Sequence, residues 1–307
     1  MEKKNNNPLR ISSLSQLHDL MQLPKPLHPL ISIVDNSKMT TVDSTEILNK
    51  AFIFDFYKIS YKYSTHGKMG YGQGYYDFNE GGMMFTAPNQ LLYVDNVETK
   101  YCGFTLLFHP DFIRNYPLGK YIKQYGFFSY DTNEALHLSE TEKNLITGIL
   151  ESINNELHTA IDEISQDVIV SYIEVLLNYS NRFYKRQFIT RKAISNDILI
   201  KTDQILNDYF NNEETLKNGL PTVEFLATQV NVSSHYLSDL LRNLTGQNAQ
   251  QLIHSKLIDK AKDYLMVTNL SVAEIAYQLG FEYPQSFSKL FKKKTNVTPL
   301  EFKNSLN

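Results

Sequence analysis

The most constraining feature of this chain is a short pattern that occurs twice in its last hundred or so residues. In the first copy Ala227 is followed four residues later by Asn231, then by Leu237, Leu240, Leu241 and Leu244 at helical spacing. In the second, Ala276 is followed four residues later by Gly280, then by Phe287, Leu290 and Phe291. A small residue lets two helices cross closely, a residue tolerant of positive φ turns the chain, and an apolar stripe seats the second helix with its other face outward. One such pattern is weak evidence. Two copies about 50 residues apart, joined by a helical segment carrying Leu252, Ile253, Leu257, Ala261 and Leu265, predict a helical domain built from two helix-turn-helix units.

The rest of the chain reads differently. With 307 residues there is room for two domains, and 42% apolar and 12% aromatic residues exclude a disordered or fibrous chain. Residues 1–28 combine a polar tail, a short helical pattern (Leu14, Leu17, Leu20, Met21) and a proline-broken stretch, and read as an arm rather than core. From about residue 30 to residue 108 the runs are short and extended: Phe52, Phe54 and Phe56 alternate with Ile53, Asp55 and Tyr57, and similar runs cover 82–88, 91–94 and 103–108. Gly70, Gly72 and Gly74 mark a hairpin, so the region predicts an antiparallel sandwich or barrel. Twenty-two of the 38 Phe and Tyr residues lie between Phe52 and Tyr130, enough to fill such a core.

Beyond His109-Pro110 the period becomes helical. Ser139 with Glu142 forms a capping-box sequence. Ile161, Ile164, Val168, Tyr172, Val175, Leu176, Tyr179 and Phe183 make a stripe along one long helix, either core or a dimer seam. The cationic stretch 182–192 marks a boundary between domains. Charge follows the same division: ten cations and seven acids from Lys217 onward give a local +3, leaving −6 for the remainder of a chain of net charge −3. That asymmetry suits an acidic domain joined to a mildly basic one that meets an anionic partner. The single cysteine, Cys102, forms no internal disulfide, the N-terminal residues lack the apolar core of a signal peptide, and no apolar run approaches the roughly 20 residues of a membrane helix. These features predict a cytoplasmic protein without membrane contact.

The segment Ser271-Val272-Ala273-Glu274-Ile275-Ala276, with Leu279-Gly280-Phe281, Phe287-Ser288-Lys289-Leu290-Phe291-Lys292-Lys293 and Thr298-Pro299, resembles the C-terminal signature of AraC/XylS-type transcription regulators. Leu226-Ala227, Val232-Ser233, Tyr236-Leu237-Ser238 and Thr245-Gly246 repeat it, and the resemblance covers residues 199–303. Upstream, Gly103-Phe104-Thr105-Leu106-Leu107-Phe108-His109-Pro110-Asp111 and Asn178-Tyr179-Ser180-Asn181-Arg182-Phe183-Tyr184 resemble the sensor half of one subgroup of that family. The resemblance implies an α+β multidomain chain: an N-terminal cupin-like β-barrel with dimerisation helices, and a C-terminal all-α double helix-turn-helix domain. The corresponding boundaries are an arm at 1–28, a sensor and dimerisation domain at 29–185, a linker at 186–198 and the DNA-binding domain at 199–307. The implied function is sequence-specific transcription regulation, as an activator, with double-stranded DNA, RNA polymerase, a small-molecule effector and a second copy of the chain as partners. Asn296 stands where the family has glycine, Lys256 and Lys303 where it has arginine, and Asp239 where it is often basic.

Helix periodicity points Ser234, His235, Ser238, Asp239 and Arg242 outward on the first recognition helix. On the second it exposes Gln285, Ser286, Ser288, Lys289 and Lys292, with Pro284 suited to the first turn. Gln285 matches adenine, Arg242 or Lys289 guanine or phosphate, and Lys292, Lys293 and Lys294 the DNA backbone. For an effector, His66, Tyr71, Tyr75, Tyr93 and Phe104 are the candidate pocket residues, and the family implies that the N-terminal arm responds to it. A cupin-type metalloenzyme, or a ligand-binding protein with a weak or vestigial DNA-binding domain, is the competing reading. Against the enzyme, His66 has no partner at metal-ligand spacing, no histidine follows the Gly82-to-Pro88 segment that resembles the second cupin motif, and no nucleophile motif is present. No metal, cofactor or catalytic residue is therefore expected.

Overall fold

The computed structural model describes residues 8–36, 50–65, 69–71, 74–76, 82–94, 101–131, 134–159, 162, 164–212 and 214–305. The chain divides into two compact units, Met1–Gln187 and Phe188–Asn307. In chain order the first holds β1 (Leu9–Ile11), α1 (Leu14–Leu20), β2 (Ile31–Asp35), β3 (Lys50–Phe54), β4 (Tyr57–Thr65), β5 (Met69–Tyr71), β6 (Gly74–Tyr76), β7 (Gly82–Thr86), β8 (Leu91–Val94) and β9 (Tyr101–Phe108). It continues with α2 (Pro110–Ile113), α3 (Pro117–Tyr121), α4 (Glu140–His158) and α5 (Ser165–Thr190), the last of which runs across the boundary. The second unit is helical: α6 (Lys192–Asn211), α7 (Glu214–Asn218), α8 (Val223–Gln229), α9 (Ser234–Thr245), α10 (Ala249–Val267), α11 (Val272–Gln278), α12 (Pro284–Thr295) and α13 (Pro299–Asn304).

The strands form two sheets, one in the order β1-β3-β8-β5-β6 and one in the order β2-β9-β4-β7. Neither sheet closes on itself among the described residues, so a β-rich unit is present without a closed barrel. The glycine-marked hairpin pairs β5 with β6, Tyr71 opposite Gly74. Phe52 and Phe54 of β3 and Leu92 of β8 share one buried cluster with Val34 of β2 and Leu107 of β9, which joins the two sheets face to face. The other face of the second sheet is covered by helices. There Tyr57 stacks on Phe108 with centroids 5.1 Å apart, and Phe85 meets Phe127 at 4.4 Å. The Tyr61 hydroxyl donates to the carbonyl of Lys143 on α4 at 3.3 Å.

Two expectations are corrected. Residues 8–28 are not a detached arm: β1 pairs in parallel with β3, and Ile11 and Leu14 are buried in the same cluster as Phe52 and Phe54. The alternation predicted through Phe56 breaks at Asp55, where Arg10 forms an ion pair with the carboxylate at 2.6 Å and the Asp55 N–H donates to Ile11 at 3.1 Å. Phe56 is buried all the same, stacked on Phe54. The stretch expected as linker, 186–198, contains the division between the two units and is formed by the end of α5 at Thr190 and the start of α6 at Lys192. Its first residues tie the first unit together, since Arg186 pairs with Glu142 at 2.9 Å and the buried Gln187 accepts from the His137 N–H at 2.8 Å.

The capping box at α4 forms as read: Ser139 Oγ accepts from the Glu142 N–H at 3.4 Å, and the Glu142 carboxylate from the Ser139 N–H at 2.8 Å. Helix α5 has the predicted period, but of the described residues in the predicted stripe only Leu176 and Phe183 are buried. Ile169, Val170, Ile173, Leu176, Leu177 and Tyr184 are buried, whereas Ile164 is 63% and Val175 41% exposed. Beside that exposed stripe three tyrosines donate to α5 in succession, Tyr116 to Asp167 at 2.5 Å, Tyr121 to Glu174 at 2.7 Å and Tyr125 to Asn178 at 2.9 Å. Burial, then the carboxylate acceptor, pushes the Tyr116 and Tyr121 hydroxyls up to about 12, so all three remain donors at neutral pH.

Candidate nucleic-acid interface

The two copies of the sequence pattern fold into the same turn. In the first, the Val232 N–H donates to Ala227 at 3.0 Å and the Val230 N–H to Leu226 at 3.2 Å. In the second, the Phe281 N–H donates to Ala276 at 2.9 Å and the Leu279 N–H to Ile275 at 3.0 Å. The residue between lies in the left-handed region both times, Asn231 at φ 57° and Gly280 at φ 86°. Glycine is required in the second copy for a further reason: a Cβ on Gly280 would lie 2.8 Å from the Gly219 carbonyl carbon and 2.9 Å from the Thr215 oxygen. Thr215 also donates to the Gln278 carbonyl at 2.7 Å, so α7 is stitched to this turn.

The duplication extends past the recognition helices. Helices α9 and α12 are each 12 residues long, and each ends on a threonine whose hydroxyl donates back along its helix, Thr245 to Leu241 at 2.8 Å and Thr295 to Phe291 at 2.9 Å. The left-handed cap follows, Gly246 at φ 77° and Asn296 at φ 66°, the asparagine occupying the glycine position without loss of the turn. Capping boxes then start α10 (Asn248 with Gln251) and α13 (Thr298 with Glu301). Hydrogen bonds from the Ser271 and Thr298 backbone lower the pKa of the Glu274 and Glu301 carboxyls, which stay ionised at helix N-termini where negative charge is favourable.

One core carries both units. Leu237 and Leu241 of α9, Phe287 and Phe291 of α12, and Ile253, Leu257, Ala261 and Leu265 of α10 belong to a single buried cluster. Lys256 of α10 reaches across to α6, 2.6 Å from Asp203 and 3.2 Å from Asn207. Lys303 donates to the Leu270 carbonyl at 2.8 Å and the Thr268 carbonyl at 3.3 Å, so the two lysines found in place of the family's arginines serve as clamps within the unit.

The outward faces differ in charge. On α9, His235 and Arg242 are exposed and Ser234, Ser238 and Asp239 half-buried. Arg242 lies 3.0 Å from Asp239, which neutralises the strongest cation of that face. On α12, Gln285, Ser286, Lys289, Lys292 and Lys293 are exposed and Ser288 half-buried, with Phe287 and Phe291 inward. Lys294, also exposed, lies round the helix from this face near His254 of α10. Burial, then Lys294 and Lys293, lowers the His254 pKa, and the imidazole adds no charge there at neutral pH. The structure therefore brings all eleven predicted positions onto two recognition helices, one neutral and one cationic. Tyr283, immediately before Pro284, is the N-cap residue of α12 and is 60% exposed.

In the first unit, His66 lies outside the described residues, as do the side chains of Tyr71 on β5, Tyr75 on β6 and Tyr93 on β8. Phe104 is half-exposed, and the strand register sets it opposite Tyr61, on the face of β9 that meets the helices rather than the one that meets the other sheet. The inter-sheet side of β4 instead carries Lys58, Ser60 and Lys62, a polar row alternating with Ile59 and Tyr61. Lys62 is only 5% exposed, and burial, with Lys58 nearby, lowers its pKa to about 7. The unfolded chain keeps that proton to about pH 10 while the folded chain releases it near 7, so this group makes stability rise between those values. Below pH 7 both forms are protonated and the penalty is fully present. The thermal midpoint is expected to climb by several degrees from pH 7 to pH 9 and to climb less in Lys62→Met; an equal climb in both proteins would contradict this assignment. No cluster of three or more His, Cys, Asp or Glu side chains able to hold a metal ion occurs among the described residues, and no helix among them is long and apolar enough to cross a membrane.

Residues 226–305 match a family model described as a helix-turn-helix domain. A histidine kinase of Formosa agariphila is 28% identical over 116 residues, 38% of this chain and 8% of that protein. An uncharacterized HTH-type transcriptional regulator in the cgkA 5' region of Pseudoalteromonas carrageenovora is 33% identical over 103 residues, 34% of this chain and 56% of its own length. The HTH-type transcriptional regulator YfiF of Bacillus subtilis is 23% identical over 254 residues, 81% of this chain and 77% of its own. The chain thus spans less than two thirds of the first two relatives and most of the third. The duplicated turn geometry and the family match make the C-terminal domain a double helix-turn-helix domain of AraC type, similar to the domains of these transcriptional regulators.

Proposed function

We propose that the chain works as a dimeric, sequence-specific, cytoplasmic DNA-binding regulator that activates transcription through RNA polymerase in response to a small-molecule effector. The observation that carries this reading is the pair of turns with the same hydrogen bonds and left-handed residue, which present two recognition helices from one core. Helices α9 and α12 enter successive major grooves, about 34 Å apart along the duplex. Gln285 reads adenine, Ser286, Ser288 and Lys289 lie on the base-reading face, and Lys292 and Lys293 hold phosphates. On α9, Ser234, His235 and Ser238 contact the duplex, while Asp239 accepts from a cytosine amino group or restrains Arg242. The division of labour follows 29–185 for sensing and dimerisation and 199–307 for DNA, with no catalytic step assigned. Salt titration of duplex binding tests the interface: log K is expected to fall against log salt with a slope of about −4 or steeper, as for four to five phosphate contacts. A slope near zero would contradict it.

The first unit is read as a cupin-like sensor whose effector sits between the two sheets, near Lys58, Ser60 and Lys62 and the strands bearing Tyr71, Tyr75 and Tyr93. An effector acts there by binding one arrangement of the protein more tightly than another. The second copy of the chain docks on α5 and the residue just before it, along the stripe of Ile164, Val168, Tyr172, Val175 and Tyr179 that the first unit leaves partly or wholly exposed. Apolar residues recurring every three or four positions on an uncovered helix face form a helix-helix seam. Val175→Glu with Ile164→Glu is expected to shift the chain from dimer to monomer in sedimentation equilibrium at micromolar concentration, without loss of helical content. A variant that sediments as wild type would move the seam elsewhere.

A further inference from the structure

The first unit holds a cleft of about 570 Å³ beside α2 and α3, within the range of roughly 300–1,000 Å³ typical of small-molecule sites. Tyr57, Tyr125 and Phe128 line it together with Arg114, Lys120 and Lys123, and no carboxylate is among its lining residues. It shares no residue with the inter-sheet interior around Lys58, Ser60 and Lys62. The cleft is shaped by the chain itself: a Cβ on Gly119 would lie 2.4 Å from the Ile113 carbonyl oxygen, so glycine lets α3 fold back this closely on α2.

Its chemistry is two-sided. Tyr57 and Phe128 are buried and meet edge to face at 5.0 Å, which gives the cleft an apolar, aromatic side. Arg114 is already paired with Asp111, whereas Lys120 and Lys123 are exposed and have no ion-pair partner among the described residues. The Tyr125 hydroxyl is committed to Asn178 at 2.9 Å, while that of Tyr57 makes no hydrogen bond among the described residues. Burial raises the Tyr57 pKa, so the phenol remains a donor at neutral pH. Two uncompensated cations beside an aromatic wall and an available phenol are complementary to one ligand class.

We infer that this cleft binds a small aromatic carboxylate, its ring against Tyr57 and Phe128 and its carboxylate facing Lys120 and Lys123. The test is calorimetric titration of the full chain with indole-3-acetate and with its neutral counterpart indole-3-acetamide. The acid is expected to bind at one site per chain and about tenfold more tightly than the amide. Lys120→Glu with Lys123→Glu should weaken the acid about tenfold or more and leave the amide unchanged; both side chains are exposed, so folding is retained. Tyr57→Phe should weaken the acid more than the amide. Equal binding of acid and amide, undiminished binding in the double variant, or no binding at millimolar ligand would each overturn the assignment. DNA binding is not the readout, so failure here and failure of the regulator reading are separable.

Discussion

Replacing Lys289, Lys292 and Lys293 together by alanine is expected to lower affinity for operator DNA about 100-fold and to reduce the salt slope by about 2, the share of the two phosphate-holding lysines. The three ammonium groups lie on the exposed face of α12, opposite the buried Phe287 and Phe291, and none forms an ion pair with an acid among the described residues. Each phosphate contact contributes about one to the salt slope, which ties the two numbers to the same contacts. Arg242→Ala is expected to change affinity less than about threefold, because its guanidinium is held 3.0 Å from Asp239 and the face of α9 carries little net charge before the mutation. Equal losses in the α12 triple variant and in Arg242→Ala, measured by fluorescence anisotropy across a salt series, would mean that both helices carry the electrostatics alike.

Phe291→Ala is expected to destabilise the second unit by about 4 kcal/mol, near the middle of the range for deleting a fully buried phenylalanine. The ring is 0% exposed and sits between Phe287, 5.8 Å away, and Phe302, 5.7 Å away, so its removal leaves a cavity lined by rings that cannot collapse without moving α13. Against a typical domain stability of roughly 5–15 kcal/mol this is a large share. The urea midpoint of the helical signal should drop by roughly 2 M for a slope near 2 kcal/mol/M. Phe291→Leu, which retains most of the volume, should cost less than about 1.5 kcal/mol. A loss below about 1 kcal/mol for the alanine variant would show that α12 is not anchored through this ring.

The DNA-binding half was legible because each of its signals is local and physical. Ala227 with Asn231, and Ala276 with Gly280, mark close helix crossings and left-handed turns, and both turns form with the same hydrogen bonds. The ion pair between Asp239 and Arg242, three positions apart on one helix, is seen only in the structure. The first half was harder because its patterns are symmetric. Along α5 and the residue just before it, both Ile164 with Val175 and Ile169 with Ile173 recur at helical spacing, and periodicity alone does not say which set meets the sheet. Lys58, Ser60 and Lys62 alternate with Ile59 and Tyr61, but alternation does not say that the polar side faces another sheet rather than water. Ile11 and Leu14 looked like part of an arm because a strand of three residues has too few positions to show a period.

The most direct measurement is capture of fragmented genomic DNA by the purified full-length chain at moderate salt, followed by sequencing of the retained fragments. A double helix-turn-helix regulator is expected to recover a limited set of promoter-proximal sites sharing one motif, with two half-elements about one helical turn apart. Uniform retention that fades with salt and yields no motif would mean that the lysines of α12 hold only the DNA backbone, and would contradict sequence-specific regulation by this chain.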